Sequence, residues 1–142
     1  MAIKTAKVVF SSFGVTTSNS PRKVLYLPLV EVRFVKSRRK MTINLADKYG
    51  MFDKKEPISV CVMEHFIVVG LRDMYLFYNE DGANTAKFPV SKLGTALCAA
   101  PDRVVFRRNC TITAYDANGC VVVSRKFTKK EIAIIESECG KA

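Results

Sequence analysis

The chain has 142 residues, 23 Lys and Arg against 13 Asp and Glu, and a formal net charge of +10 at pH 7. Apolar residues make up 49% and charged residues 25% of it, which is globular composition and excludes disorder over the whole length. The apolar runs, such as residues 66–71, are far shorter than the ~20 residues of a membrane span. Residues 1–10 carry Lys4 and Lys7 with no apolar stretch behind them, so no signal peptide is read. The expectation is a protein of the cytoplasm, or one packaged within a larger particle.

Residues 1–23 read as a short strand followed by a flexible basic arm. The Ser-Ser-Phe-Gly-Val-Thr-Thr-Ser-Asn-Ser stretch at 11–20, closed by Pro21, carries the composition of a loop. From 24 to 142 the expectation is one compact β-rich domain. Residues 24–35 alternate Val30, Val32 and Phe34 against Glu31 and Arg33, a strand pattern in which Pro28 marks a bulge or an edge. Further strands are predicted at 41–44, 58–63, 66–71, 74–78, 86–90, 103–107, 110–115 and 120–127. Asn79-Glu80-Asp81-Gly82 and Asp116-Ala117-Asn118-Gly119 are hairpin turns, since Asn, Asp and Gly accept the positive φ that tight turns require. Short helices are predicted at 45–50 and 91–98. A longer final helix has Thr128 as its N-cap, Glu131 completing a capping box, and its end near Gly140.

The resulting fold class is mainly β: a small barrel or sandwich of about eight to ten short strands with a C-terminal α-helix. Two units of strand, strand, short helix and hairpin are read at residues 30–71 and 74–115, with a further strand and the helix at 116–140. In this register Lys40 and Lys87 stand 47 residues apart, and Ile67 and Ile112 stand 45 apart.

The positive charge is uneven. Residues 1–44 hold nine basic residues and one acid, Glu31, whereas residues 45–142 are nearly balanced. Such asymmetry points to a polyanionic partner, with nucleic acid foremost. The best candidate site is the turn Lys36-Ser37-Arg38-Arg39-Lys40, with four cations in five residues between two strands. Arg forks pair bidentately with phosphate or guanine edges, and Lys acts as a point charge. Arg107-Arg108 forms a second basic tip, and Arg125-Lys126 with Lys129-Lys130 a third cluster. A stacking platform for single strands would need exposed aromatics. Phe34, Phe66, Phe77, Phe88 and Phe106 read as core, leaving Phe13, Tyr26 and Phe127.

Catalytic signals are missing. His65 is the sole histidine, it sits at a predicted turn beside Glu64, and no nucleophile-elbow, zinc-protease, Walker or dinucleotide-binding motif occurs. The five cysteines, at 61, 98, 110, 120 and 139, are odd in number and lack a CxxC pair, so they read as small buried hydrophobes rather than as disulfides or zinc ligands. No metal, cofactor or small-molecule substrate is expected.

The stretch from Val32 to Leu71 resembles the swapped-hairpin DNA-binding domains of the AbrB and MazE type. Lys40 stands at the basic position, Ile43 at the family Ile, Tyr49-Gly50 at the Leu-Gly that closes the short helix, and Asp53-Lys54-Lys55 at the polar link. Asn44 replaces the usual Pro, and Tyr49 replaces Leu. The resemblance implies two such units closing one small barrel, with Arg38, Arg39 and Lys40 against duplex DNA in a transcriptional regulator or antitoxin-like protein. Most members of that family build the barrel from two chains, a tandem repeat could close it within one, and a homo-oligomer is the expectation here. The alternative is a structural or assembly protein of a virion or other large complex, using its basic N-terminal arm.

Overall fold

A computed structural model describes residues 2–17, 20–45 and 57–139, apart from the side chains of 13–17, 20–23 and 139. Residues 46–50 of the predicted helix at 45–50, and the Tyr49-Gly50 and Asp53-Lys54-Lys55 positions, fall outside the described residues. The architecture is mainly β, with three antiparallel sheets and two helices.

The first sheet contains β1 (Ile3–Thr17), β2 (Ser20–Phe34) and β3 (Lys40–Asn44), in that order. The loop expected at 11–20 is corrected here: β1 and β2 pair from Ile3↔Phe34 to Thr17↔Ser20. Ser and Thr signal a turn by composition, yet β-branched Thr and Val also suit a two-stranded ribbon whose ladder satisfies the backbone. β3 pairs only with Leu29–Arg33 of β2, so the ribbon continues past it for about 25 Å at ~3.3 Å per residue. Pro28 lies where that pairing stops. Its carbonyl accepts the Leu45 N–H at 3.1 Å, and its missing N–H interrupts no ladder.

The second sheet is a meander of β4 (Ser59–Val62), β5 (Phe66–Gly70), β6 (Met74–Asn79) and β7 (Asn84–Pro89). The third is a meander of β8 (Thr95–Ala100), β9 (Arg103–Arg108), β10 (Thr111–Tyr115) and β11 (Val121–Lys126). One-turn helix α1 (Val90–Leu93) joins the two sheets, and α2 (Lys129–Cys139) follows the third. The predicted helix at 91–98 is therefore cut to one turn. Gly94, at φ 85°, ends it, and Thr95–Ala100 becomes a strand held by β9. Pairing overrides the helix propensity of its Ala and Leu residues.

Side-chain alternation makes the second sheet the middle layer. Ile67, Val69, Leu76 and Tyr78 pack with Val30, Val32, Phe34 and Ile43 of the first sheet. Their neighbours Phe66, Val68 and Phe77 pack with Val104, Phe106 and Tyr115 of the third. β5 is buried on both faces, which is why Phe-Ile-Val-Val reads as an unbroken apolar run.

The strands repeat at a spacing different from that expected. In the second unit, β6, β7, α1 and the β9–β10 hairpin follow in the predicted order, with β8 added. Hydrogen bonding groups the strands otherwise, as two successive four-stranded meanders. Asn79 Oδ1 accepts the N–H groups of Asp81 and Ala83 at 2.9 and 3.0 Å. Thirty-seven residues on, Asp116 Oδ1 accepts those of Asn118 and Cys120 at 2.9 and 3.0 Å. Gly82 and Gly119 both have positive φ, and each hairpin carries a bulge at the same step, 77/78 and 114/115. The offset is therefore 37, not 45 to 47, because turn chemistry marks equivalent positions and scattered identities do not.

The capping box forms as expected. Glu131 N–H donates to Thr128 Oγ1 at 3.2 Å, and Thr128 N–H to Glu131 Oε1 at 3.1 Å. Such a cap stabilises a helix by roughly 1 kcal/mol. The helix seats Ile132, 4% exposed, as its anchor.

Candidate nucleic-acid interface

The register of the first sheet separates two faces. Ala6, Val32 and Met41 share one row and Val8, Val30 and Ile43 another, and these rows face the core. The alternate rows face solvent: Thr5, Arg33 and Lys40 in one, and Lys7, Glu31 and Thr42 in the next. Three cations thus surround one carboxylate on an open sheet face. Lys40 Nζ donates to Glu31 Oε1 at 2.9 Å. That bond and the Lys40 charge, with smaller contributions from Arg33 and Lys7, hold the Glu31 carboxyl below its ordinary value. Of the four predicted turn cations, Lys40 is therefore a strand residue tied to an acid.

The remaining three are on the tip. Val35 N–H bonds Ala2 C=O at 2.9 Å, Lys36 adopts φ 58°, and Arg39 N–H donates to Ser37 Oγ at 3.1 Å. This compact turn carries Lys36, Arg38 and Arg39 exposed, contiguous with the cationic face. One margin is acidic: Glu80 and Asp81 share a depression of about 250 Å³ with Arg39, Lys40 and Phe34.

The other predicted site residues divide between two faces of the third sheet. Arg108, Thr111 and Lys126 lie in one row; Arg107, Ile112 and Arg125 lie in the next, on the opposite face. Arg107 is engaged within the protein, its guanidinium bonding Glu136 of α2 and the Asn109 carbonyl. Arg125 lies 4.9 Å over the Phe127 ring, so Phe127 carries a cation rather than an open stacking face. The two residues of each basic pair therefore cannot act as one cluster, because adjacent strand residues point to opposite sides. Tyr26 packs edge-on to Phe10 at 6.5 Å, and the Phe13 side chain is outside the described residues.

Sequence reasoning missed Lys7, Arg33 and Lys92. Arg33 was marked by alternation and Lys7 by its charge alone, but only the β1–β2 register brings them to Lys40. Lys92 was concealed by the helix predicted around it.

His65 is half-exposed between two acids, with Nδ1 at 3.0 Å from Glu80 Oε2 and Nε2 at 3.6 Å from Glu64 Oε1. Burial pushes the Cys61 thiol up, away from thiolate character. Cys61, Cys98 and Cys110 are half-buried, as small hydrophobes can be, but Cys120 is exposed, contrary to expectation. No described helix is long and apolar enough to cross a membrane.

Comparisons with protein-family models, curated proteins and solved structures find no match to the chain.

Proposed function

We propose that the chain is a non-enzymatic DNA-binding protein that lays the solvent face of β1–β3 and the 36–39 tip against duplex DNA. The observation that carries this reading is the convergence of Lys7, Arg33 and Lys40 around a single carboxylate, continuous with Lys36, Arg38 and Arg39. Phosphate contacts from the sheet face supply affinity, and an arginine of the tip reads base edges, since a major groove admits a two-stranded ribbon. The resemblance at residues 32–71 extends the reading to an AbrB-like regulator.

Binding to random-sequence duplex is the test. With ~4–6 phosphates neutralised, the slope of log K against log salt is expected near −4 to −5, at about −0.9 per phosphate. Salt-independent binding, or none at low salt, overturns the reading.

Glu31 gives an opposite-signed check. Glu31→Gln removes the only carboxylate from the cationic rows and is expected to tighten duplex binding by roughly 2- to 5-fold, the scale of an exposed ion pair. Its folded value is depressed, so the Lys40 pairing persists above the ordinary carboxylate range and is lost only as pH falls through the depressed value. Wild-type binding should accordingly tighten at that low-pH limb and the Gln variant should lack the limb. Parallel titrations of the two proteins by fluorescence anisotropy check both points.

The assembly reading has its own observation. β11 is an edge strand that leaves Val121, Val122 and Val123 exposed at 58%, 46% and 53%. An apolar edge of this kind templates pairing with another strand. A second copy joined antiparallel along β11 would make the chain a dimer. Sedimentation should show that dimer for the wild type and a monomer for Val123→Lys; a monomeric wild type removes this reading.

A further inference from the structure

The third sheet holds a second cationic surface, separate from the face of β1–β3. The inner part of its core-facing side, at Val104, Phe106 and Tyr115, is covered by the second sheet. Its outer part is open and forms a trough of about 600 Å³ against α1. Arg108, Thr111 and Lys126 form one row of the floor, with Thr113 and Ser124 in the next, their hydroxyls 3.0 Å apart. Lys92 of α1 stands on the other wall, its ammonium 5.1 Å over the Phe88 ring.

Two observations make this more than a solvated surface. The trough is lined by three cations from three elements, with no carboxylate among the described lining residues. Concave walls of one sign focus potential and concentrate counter-charge. The internal repeat supplies the second. At an offset of 37, Arg108, Thr111 and Thr113 correspond to Leu71, Met74 and Leu76, which pack into the core between the first two sheets. The same meander thus serves with apolar side chains at these positions, so its geometry does not demand a cation and two hydroxyls there.

We propose that the trough binds the phosphodiester backbone of single-stranded nucleic acid, with the three cations on phosphates and the hydroxyls donating to their oxygens. Its volume is that of a small-ligand pocket. A flexible single strand can descend into such a trough, as in charged grooves that track a strand, whereas a rigid duplex rests on the rims. The proposal shares the nucleic-acid reading of the chain but uses none of the residues of the β1–β3 face.

Amide chemical shifts followed during titration with an eight-nucleotide oligothymidylate test it, within the ~4–16-nucleotide range of single-strand sites. The expected result is perturbation of residues 108–113 and 124–126. It should vanish in Lys92→Gln/Arg108→Gln/Lys126→Gln, whose spectrum elsewhere is unchanged, and persist in Arg38→Ala/Arg39→Ala/Lys40→Ala. Perturbation confined to β1–β3, survival in the Gln variant, or equal perturbation by inorganic phosphate overturns the proposal. A failure of the duplex reading looks different: the trough shifts remain while duplex binding is absent.

Discussion

Phe77→Ala is expected to lower stability by about 3–5 kcal/mol, the largest effect of any single truncation considered. Phe77 is fully buried in the middle layer. Its ring stacks with Phe66 at 6.2 Å and meets Phe88 and Tyr115 edge-on at 5.7 and 6.4 Å. Removing it opens a cavity between the second and third sheets, which the strand ladders on both sides prevent from collapsing. Domains of this size have about 5–15 kcal/mol in total, so the midpoint of thermal unfolding should fall by roughly 10 °C or more. Denaturant unfolding provides the check. A loss below about 1.5 kcal/mol, the cost of a tolerated core swap, would contradict the packing described.

Gly94→Ala is the second. Gly94 has φ 85° and ψ −137°, ends α1 by donating its N–H to Val90 C=O at 2.7 Å, and accepts the Tyr75 hydroxyl at 2.9 Å. An added Cβ would lie 2.1 Å from the Arg107 carbonyl oxygen and 2.9 Å from its carbon. Both atoms are backbone of β9 and cannot rotate away. Backbone strain of ~1–3 kcal/mol and overpacking of similar size add to an expected loss of about 2–5 kcal/mol. The variant also strains the α1 link between the second and third sheets, so the β9 amides should lose hydrogen-exchange protection first. Wild-type stability in Gly94→Ala would show that the helix end is not held as described.

Much of the architecture was legible because local chemistry and tertiary pairing agree. Val30, Val32 and Phe34 alternate and face the core. The two Asx turns at Asn79 and Asp116 close hairpins, and Thr128 and Glu131 cap the last helix. The failures share a physical cause, since composition does not encode partners. The Ser- and Thr-rich segment at 11–17 becomes strand only because residues 20–27 lie opposite it, and Thr95–Ala100 only because β9 does. The site divided in the same way. The 36–40 turn was visible as a charge run, but the sheet face behind it required the β1–β2 register. Arg107 and Arg125 looked equivalent to their neighbours in the sequence, and strand alternation sent them to the opposite face, where Glu136 and Phe127 engage them.

On the proposed reading, the β1–β3 face and its tip carry the nucleic-acid affinity. That reading is tested most directly by titrating one random-sequence duplex, across one salt series, with the wild type and with Arg38→Ala/Arg39→Ala/Lys40→Ala. These residues are exposed, so the fold should be retained. Each lost phosphate contact removes about 0.9 from the salt slope. The triple variant is expected to show a slope shallower by roughly 2–3 and affinity at low salt reduced about 100-fold or more. Identical slopes and affinities for the two proteins would contradict the reading and move the polyanion site away from the first sheet.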